Sequence, residues 1–325
     1  MKKLLCGILT AGLTLVTTSV FAWTPPGVVK VIVGQSPGGG NEFAFRGMAP
    51  ILEQRINGTK FIINHKPGLD NVVAMNYFAQ QRADGAHILV VVQATGFVAA
   101  PVAYADQLKI DPMTYVPITA LAQSPMAFII NPGNRITTVP QLIQHLRNPD
   151  TKFNIGISGS INLLAYSFFI DRIGVSPDRV QSIRFNSPTE AAMSVASGDL
   201  DMAIVPLSVP KPLIDANRVR LLAHTGSSTI AELKSVELMK DHIPGFVLNA
   251  TWSAFLPPGT NPNIVKWFNN AFVNALNDPV TNRYYNNNWA VSPPGYGPKN
   301  LNQQITELKN TWTPVAKKVL IPESK

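Results

Sequence analysis

The chain has 325 residues, of which 46% are hydrophobic and 14% are charged, with 27 prolines and 22 glycines that follow no repeat. This composition excludes a disordered, collagen-like or low-complexity chain, although it is less charged than the roughly 25% of a typical soluble protein. The net charge of +8 comes from scattered Lys and Arg, and without a basic cluster we predict no nucleic-acid partner.

The first 22 residues have the pattern of a secretory signal peptide. Lys2 and Lys3 precede an apolar run, and Val20, Phe21 and Ala22 place small residues where signal peptidase cleaves. The apolar run is shorter than the ~20 residues that a membrane span needs. We therefore predict cleavage after Ala22 and export of the mature chain to the periplasm.

The predicted mature chain contains no cysteine. Cys6 is the only cysteine of the sequence, and it lies within the predicted signal peptide. Disulfides, thiolate metal sites and cysteine nucleophiles are therefore excluded from the mature protein. No two of the five histidines have the spacing of a metal site on one helix, so we predict neither a metal nor a cofactor.

Strand and helix patterns alternate from the start of the mature chain. The apolar run Val28–Val33 predicts a strand buried on both faces, and a glycine-rich loop follows it. Asn41 is predicted to cap the next helix, and Pro50 is predicted to kink it. The next predicted elements are a strand, a helix and a strand: Phe61–Ile63, Asn71–Gln81 and Ile88–Val92.

The alternation restarts in the second half. Strands are predicted there at Ala127–Ile130, Phe153–Ile157, Ile183–Phe185, Met202–Val205 and Val219–Ala223. Helices are predicted at Val139–Arg147, directly after Ser160, at Ser187–Ser197 and over a helix-rich tail, Asn263–Lys318. This order is typical of an α/β protein with mainly parallel sheets.

Two segments are predicted to cross between lobes. Ile118–Pro125 separates the first α/β set from the second, and Pro244–Trp252 leads the chain back. We predict a two-lobed clamshell, with lobe 1 at residues 23–122 and 250–325 and lobe 2 at residues 123–249. Each lobe is then a mainly parallel sheet flanked by helices. A plain two-domain chain fits the order of elements almost as well.

The glycine-rich loop is the first candidate for ligand binding. It follows a strand, where open α/β sheets bind ligands, and its glycines let backbone N–H groups approach an anion. The residues predicted to contact a ligand are Ser36, Gly38, Gly39, Gly40, Asn41 and Glu42. A tight structural turn is the alternative, whereas the spacings of a dinucleotide fingerprint and of a P-loop are absent. Glu42 is favoured as a support of the helix start that pairs with Arg46.

Several segments, in order and spacing, resemble the solute-binding receptors of tripartite tricarboxylate transporters, the Bug family. They are Val31–Glu42, Ile63–Gly68, Asp84–Gly85, Tyr115–Pro132, Ser197–Asp201, Phe255–Thr260 and Leu276–Pro279. The resemblance covers essentially the whole mature chain. It implies a two-lobed protein, expected to be a monomer, that closes on a small organic carboxylate and delivers it to the membrane components of such a transporter.

Loops that match the family's cleft-lining segments supply the remaining predicted contacts. These are Gln93, Thr95, Gly96, Ser158, Gly159, Ser160, Asn162, Phe185, Asn186, Ser187, Thr189 and Pro206. Ordinary strand-to-helix connections are the alternative. The chain departs from the family's polar pattern at Leu164, Ala165, Phe185, Asn186 and Val205. These departures predict a less polar ligand, or one with a single carboxylate.

Two other functions stay open at this stage. One is a ligand-sensing subunit for a membrane kinase, and the other is a periplasmic enzyme acting on a small acid or ester. The segment from Gly156 to Ser160 does not satisfy the Gly-x-Ser-x-Gly pattern of a nucleophile elbow, because Ser160 takes the last glycine's place. No carboxylate pair suited to acid–base catalysis stands out either, so we predict no catalytic residue.

Overall fold

The computed structural model describes residues 23–56, 58–185, 187–226, 230–293 and 297–320. The predicted signal peptide, its cleavage site and Asn186 lie outside these residues. Among the helices that the structure describes, none combines the length and hydropathy that crossing a membrane requires.

The described elements are strands and helices in alternation, as the sequence predicts. The strands are β1 Val28–Val33, β2 Lys60–His65, β3 His87–Val92, β4 Val116–Ile130, β5 Asn154–Ser158, β6 Gln181–Phe185, β7 Met202–Pro206, β8 Arg220–His224, β9 Glu237–Leu238 and β10 Asn249–Leu256. The helices are α1 Gly40–Arg46, α2 Ala49–Arg55, α3 Val72–Ala79, α4 Ala100–Ala103, α5 Val139–Arg147, α6 Gly159–Arg172, α7 Pro188–Ser197, α8 Lys211–Asp215, α9 Met239–His242, α10 Pro262–Leu276, α11 Pro279–Asn287 and α12 Pro298–Leu320.

The strands form two α/β halves that share one continuous sheet. Its order is β2-β1-β3-β10-β4-β7-β5-β6, with β8 paired to β4 and to β9. The outer strands pair in parallel, whereas β4 and β10 run antiparallel to their neighbours. Helices cover the sheet, and strands such as β3 are almost fully buried, which explains the unbroken apolar run in its sequence.

The predicted crossovers are a pair of strands. Along β4, residues 116–125 pair with β10, and residues 126–130 pair with β7 and β8. Both passages between the halves are therefore hydrogen-bonded to each other, which satisfies backbone groups that a buried loop would leave unpaired. We propose that the lobes divide where β4 changes partner, between Pro125 and Met126, close to the boundaries predicted from the sequence.

The C-terminal helix α12 contacts both halves. Trp312 of α12 lies against Phe168 of α6, with ring centroids 5.1 Å apart, and Lys318 forms an ion pair with Asp171 of α6. Towards its start, the side chain of Gln304 accepts a hydrogen bond from Gln93, at 3.1 Å. The tail that the sequence assigns to lobe 1 thus also packs on α6 of lobe 2.

Two expectations about the first helix are wrong. Pro50 does not kink one helix, because the helical segment is divided into α1 and α2 and Pro50 stands in the first turn of α2, where its missing N–H costs nothing. Asn41 does not cap α1, because Gly39 holds the N-cap position. The side chain of Asn41 is instead buried, and it donates a hydrogen bond to Asn71 at 2.8 Å.

Candidate functional site

The loop between β1 and α1 satisfies most of its own amide groups. The N–H of Gly38 donates to Oε2 of Glu42 at 2.8 Å, and the N–H of Gly39 donates to the carbonyl of Ser36 at 3.1 Å. The N–H of Asn41 donates to the side chain of Gln35 at 2.9 Å. Groups of the same segment therefore already accept from three amides of the loop, those of Gly38, Gly39 and Asn41.

Within the described chain, one N–H of this loop, that of Gly40, stays unpaired and lies beside an unpaired side-chain donor. A Cβ at Gly40 would lie 2.8 Å from Cζ2 and 3.0 Å from Nε1 of Trp252, so the glycine backbone rests directly against the indole. Trp252 is 2% exposed, and its Nε1 has no acceptor within the described residues. No hydrogen bond of the described chain uses the N–H of Gly40 either. An unpaired buried donor is costly, so Nε1 of Trp252, with the half-buried Gly40 backbone beside it, indicates where an acceptor such as a carboxylate oxygen binds.

Glu42 braces the loop from within. Its carboxylate accepts the Gly38 N–H, pairs with Arg46 and lies 3.4 Å from Nε2 of His65. Burial alone would raise the pKa of Glu42, but the Gly38 N–H and Arg46 outweigh it, with a further contribution from His65. The pKa therefore lies below its usual value, and the geometry favours the predicted supporting role over direct ligand contact.

Glu42→Gln is expected to lower the free energy of unfolding by about 1 kcal/mol at pH 7, because one charge-assisted hydrogen bond is weakened. A carboxylate with a lowered folded pKa stabilises fully above its unfolded pKa, about 4.3, and loses that contribution as the pH falls through the folded value. The difference between wild type and variant, measured by urea unfolding from pH 7 to pH 3, should therefore shrink below about pH 4.3.

A matched control is Glu53→Gln. Like Glu42, Glu53 accepts a backbone N–H, from Phe61 at 3.0 Å, and pairs with a basic side chain, that of Lys60. It lies outside this loop. Its substitution should leave ligand binding unchanged. A wild-type-to-Glu42→Gln difference that stays constant down to pH 3 would show that the carboxylate of Glu42 does not brace the loop.

The turn after β2 packs closely against the end of β1. Asn71 adopts a left-handed backbone with φ of 79°, and its side chain accepts the hydrogen bond from Asn41. Gly34 lies so close that a Cβ there would be 2.3 Å from Oδ1 of Asn71. The other amide atom of Asn41, Oδ1, is buried and has no partner among the described residues.

In lobe 2, the start of α6 carries a polar face. Oγ of Ser158 accepts from Nδ2 of Asn162 at 2.8 Å, whereas Oδ1 of Asn162 is unpaired within the described chain. Tyr166 lies one turn further, its hydroxyl is likewise unpaired, and burial raises its pKa to about 12. The spacing of four places all three side chains on one side of the helix. Gly159 permits the turn into α6 because its φ is 70°.

Asp70 joins the two halves. The N–H of Ser160, in the first turn of α6, donates to Oδ2 of Asp70 at 3.0 Å. Around this contact lie the polar groups described above, which we call the polar seam. Its residues are Gly40, Asn41, Asp70, Asn71, Ser160, Asn162 and Trp252. The sequence predicts Gly40, Asn41, Ser160 and Asn162 as contacts, whereas Asp70, Asn71 and Trp252 were not among the predicted site residues. Asn after a Pro-Gly turn is a usable signal, because Asn tolerates the left-handed backbone.

Other predicted contacts have local roles in the first half. The side chain of Gln93 donates to Ser253 at 2.8 Å and to Gln304. Thr95 and Gly96 are buried within the π-helical turn Ala94–Ala99, and a Cβ at Gly96 would lie 3.1 Å from Val91. These residues lie next to the polar seam. Val92, which precedes Gln93, pairs with Trp252. The turn Ala94–Ala99 also packs on Leu69–Asn71 and on α6.

The predicted contacts after β6 and β7 also have local roles. Ser187 caps α7, where its Oγ accepts the Glu190 N–H at 3.2 Å, and Thr189 is exposed. Phe185 packs near Gly156 in the sheet, and Pro206 pairs with Met126 at the end of β7. The nonpolar departures Leu164, Ala165 and Val205 are fully buried in the core, so their side chains serve packing.

Metal-ligating side chains do not gather in the described part of the chain. Groups of three or more His, Cys, Asp or Glu that could hold an ion are absent there. What the seam offers chemically is hydrogen bonding, with N–H donors at Gly40 and Trp252, amide oxygens at Asn41 and Asn162, and the Ser160 hydroxyl. Such a set can hold a small polar ligand in a fixed orientation.

Comparison with known sequences gives one family. The family model described as tripartite tricarboxylate transporter family receptor matches residues 44–321. A UPF0065 protein of Bordetella pertussis (strain Tohama I) is 24% identical over 322 residues, which is 98% of this chain and 97% of the relative.

Solved structures with the same fold include two from Rhodopseudomonas palustris. One is a protein with adipate, with a TM-score of 0.80, 23% identity and coverage of 89% of this chain and 96% of that one. The other is MatC with bound malate, with a TM-score of 0.78, 19% identity and coverage of 89% and 98%. At these identities the likeness shows the fold, which is the two-lobed arrangement of periplasmic binding proteins.

Proposed function

Since the chain belongs to the tripartite tricarboxylate transporter receptor family, we propose that it captures a small organic carboxylate between its lobes and delivers it to a membrane transporter of that type. The structural observation that carries the proposal is the pair of unpaired donors, Gly40 N–H and Trp252 Nε1, beside the first strand. Two neighbouring N–H groups suit the two oxygens of a carboxylate, and charge-assisted bonds of this kind are the stronger ones.

The mechanism is binding coupled to closure. One end of the acid is held in lobe 1 by Gly40 and Trp252, while the polar face of α6 approaches from lobe 2. Because the ligand gains contacts with the second wall only when the lobes are together, it stabilises the closed form. A transporter then recognises that form. No step of this mechanism needs a catalytic residue.

The neighbours with adipate and malate support small aliphatic acids as the first ligands to test. Export through a cleaved signal peptide, a periplasmic location, the transporter partner and the monomeric state stay predictions. They are supported by the sequence pattern of residues 1–22 and by membership of a receptor family.

Thermal and urea unfolding of the mature protein, freed of bound solutes by unfolding and refolding, tests the proposal. A panel of aliphatic mono-, di- and tricarboxylates, aromatic acids and amino acids is added one at a time. A ligand at 100-fold its dissociation constant should raise the free energy of unfolding by about 2.7 kcal/mol. Adipamide and hexanamide, which match the size of the acids without their charge, are the controls. If the protein is folded and no acid shifts its unfolding, carboxylate capture is wrong.

A further inference from the structure

A carboxylate of the protein itself occupies the start of α6. Oδ2 of Asp70 accepts the Ser160 N–H at 3.0 Å, and a Cβ built on Gly159 would lie 3.7 Å from Oδ1 of Asp70. Asp70 follows β2 in the first half of the molecule, whereas α6 follows β5 in the second. The carboxylate thus reaches across from one lobe to the other.

The position that Asp70 fills is suited to an anion. The first N–H groups of a 14-residue helix lack partners within the helix, and the helix dipole favours negative charge there. Ser160 is 6% exposed, and its hydroxyl stands at the same turn, within reach of the Asp70 carboxylate. Together they form the groups with which lobe 2 would bind the second carboxylate of a dicarboxylic acid.

The backbone directs Asp70 into this position. Leu69, Asp70 and Asn71 have φ of 44°, 54° and 79°, so three successive residues other than glycine adopt the left-handed region. That conformation costs free energy and persists only where surrounding contacts fix it. Here the Asn41–Asn71 hydrogen bond and the Ser160–Asp70 hydrogen bond hold either end of the turn.

Two further titratable side chains, Arg184 and Tyr104, interact with Asp70. Burial raises the pKa of Asp70, while hydrogen bonding to Ser160 and the charge of Arg184 act in the opposite direction. Burial also raises the pKa of Tyr104, with a contribution from Asp70. A second carboxylate at this position would find the Ser160 N–H already bound to Asp70, and the ionised form of Asp70 would repel it.

We propose that Asp70 is the specificity-determining residue of the cleft, which fills the lobe 2 carboxylate subsite and thereby restricts the ligand to acids with a single carboxylate. That carboxylate binds at Gly40 and Trp252, and the far end of the ligand is neutral. The proposal rests on the proposed function, carboxylate capture, and names the ligand class within it.

Calorimetric titration of matched acids tests the proposal. Hexanoate is compared with adipate and butyrate with succinate, because each pair differs by one carboxylate at equal chain length. The wild type should bind the monocarboxylate of each pair more tightly. Asp70→Gly removes the side chain at a φ that glycine adopts freely, and Asp70→Asn keeps the shape and the left-handed backbone but removes the charge.

In Asp70→Gly, the ratio of dissociation constants, adipate over hexanoate, should fall by about tenfold or more, because like charges placed together cost several kcal/mol. Asp70→Asn should give a smaller fall. The control is Asp106→Asn, which removes an equal charge from an exposed position of the same half and should leave the ratio unchanged.

Every outcome decides the proposal. A wild type that prefers adipate, with a ratio unaffected by Asp70→Gly, overturns it while carboxylate capture stands. Another result also overturns it: the wild type binds 6-aminohexanoate, and Asp70→Asn loses this binding without binding adipate more tightly. Asp70 then pairs with a cation of the ligand. If only Asp70→Gly binds adipate, the proposal is supported. If neither protein binds any acid, the proposal and the proposed function both fail.

Discussion

Gly34→Ala is expected to destabilise the protein by about 1–3 kcal/mol, as overpacking of a fitted interior does, and to abolish ligand binding. The new Cβ would lie 2.3 Å from Oδ1 and 2.6 Å from Cβ of Asn71. Asn71 is 3% exposed and is held by Asn41, so it has no space into which to move. Displacing it would shift the turn that carries Asp70 and the buried Asn41 side chain together. Urea unfolding and titration with the acid that most stabilises the wild type measure both effects.

The control for this variant is Gly27→Ala at the opposite end of β1. A Cβ there meets only the carbonyl of Gly58, at 3.9 Å, so stability should change by less than about 0.5 kcal/mol and binding should be retained. If Gly34→Ala binds the acid as the wild type does, the turn after β2 has no part in the site.

Trp252→Phe is expected to weaken binding of the same acid by about tenfold or more. A hydrogen bond to a charged group contributes about 1.5–3 kcal/mol, and 1.4 kcal/mol corresponds to tenfold in affinity. The change keeps an aromatic ring against Phe43, whose centroid lies 5.9 Å from that of Trp252, and removes the unpaired Nε1 donor. Calorimetric titration gives the affinity, and urea unfolding reports the cost of the smaller ring.

Trp267→Phe provides the comparison, because Trp267 packs on Trp23 and Phe268 in α10, outside the polar seam. It should alter stability without altering affinity. Equal loss of affinity in the two variants would show that Trp252 acts only through packing. An unchanged affinity in Trp252→Phe would remove the indole donor from the proposed carboxylate site.

Much of the fold follows from local patterns in the sequence. The buried strands β3 and β7 are apolar runs, and β1 is one apart from Lys30. Thr138 and Ser187 cap α5 and α7 as residues of their type do. The segments β4 and β10 were predicted as crossovers but not as paired strands. Their pairing joins residues more than a hundred positions apart, such as Ser124 with Ala250, and no local pattern encodes such a register.

The candidate site can be predicted only in part, because some of its contacts also join residues that are far apart in the sequence. The loops after β1 and β5 carry glycine and hydroxyl residues between a strand and a helix, a pattern that can be recognised locally. Asp70 belongs to the site because it binds Ser160, which is 90 positions away in the sequence. Trp252 belongs to it because the indole contacts Gly40. The loop's own side chains also take its amides, and the sequence indicates a supporting role for Glu42 but none for Gln35.

The uninterrupted strand β4 has a consequence for how the molecule folds. Its first ten residues complete the sheet of one half, and its last five complete the sheet of the other. If either half unfolds, β4 loses hydrogen bonds on that side, although it is also a strand of the other half's sheet. Local opening is therefore coupled across the molecule, and the two lobes form one cooperative folding unit rather than two independent foldons.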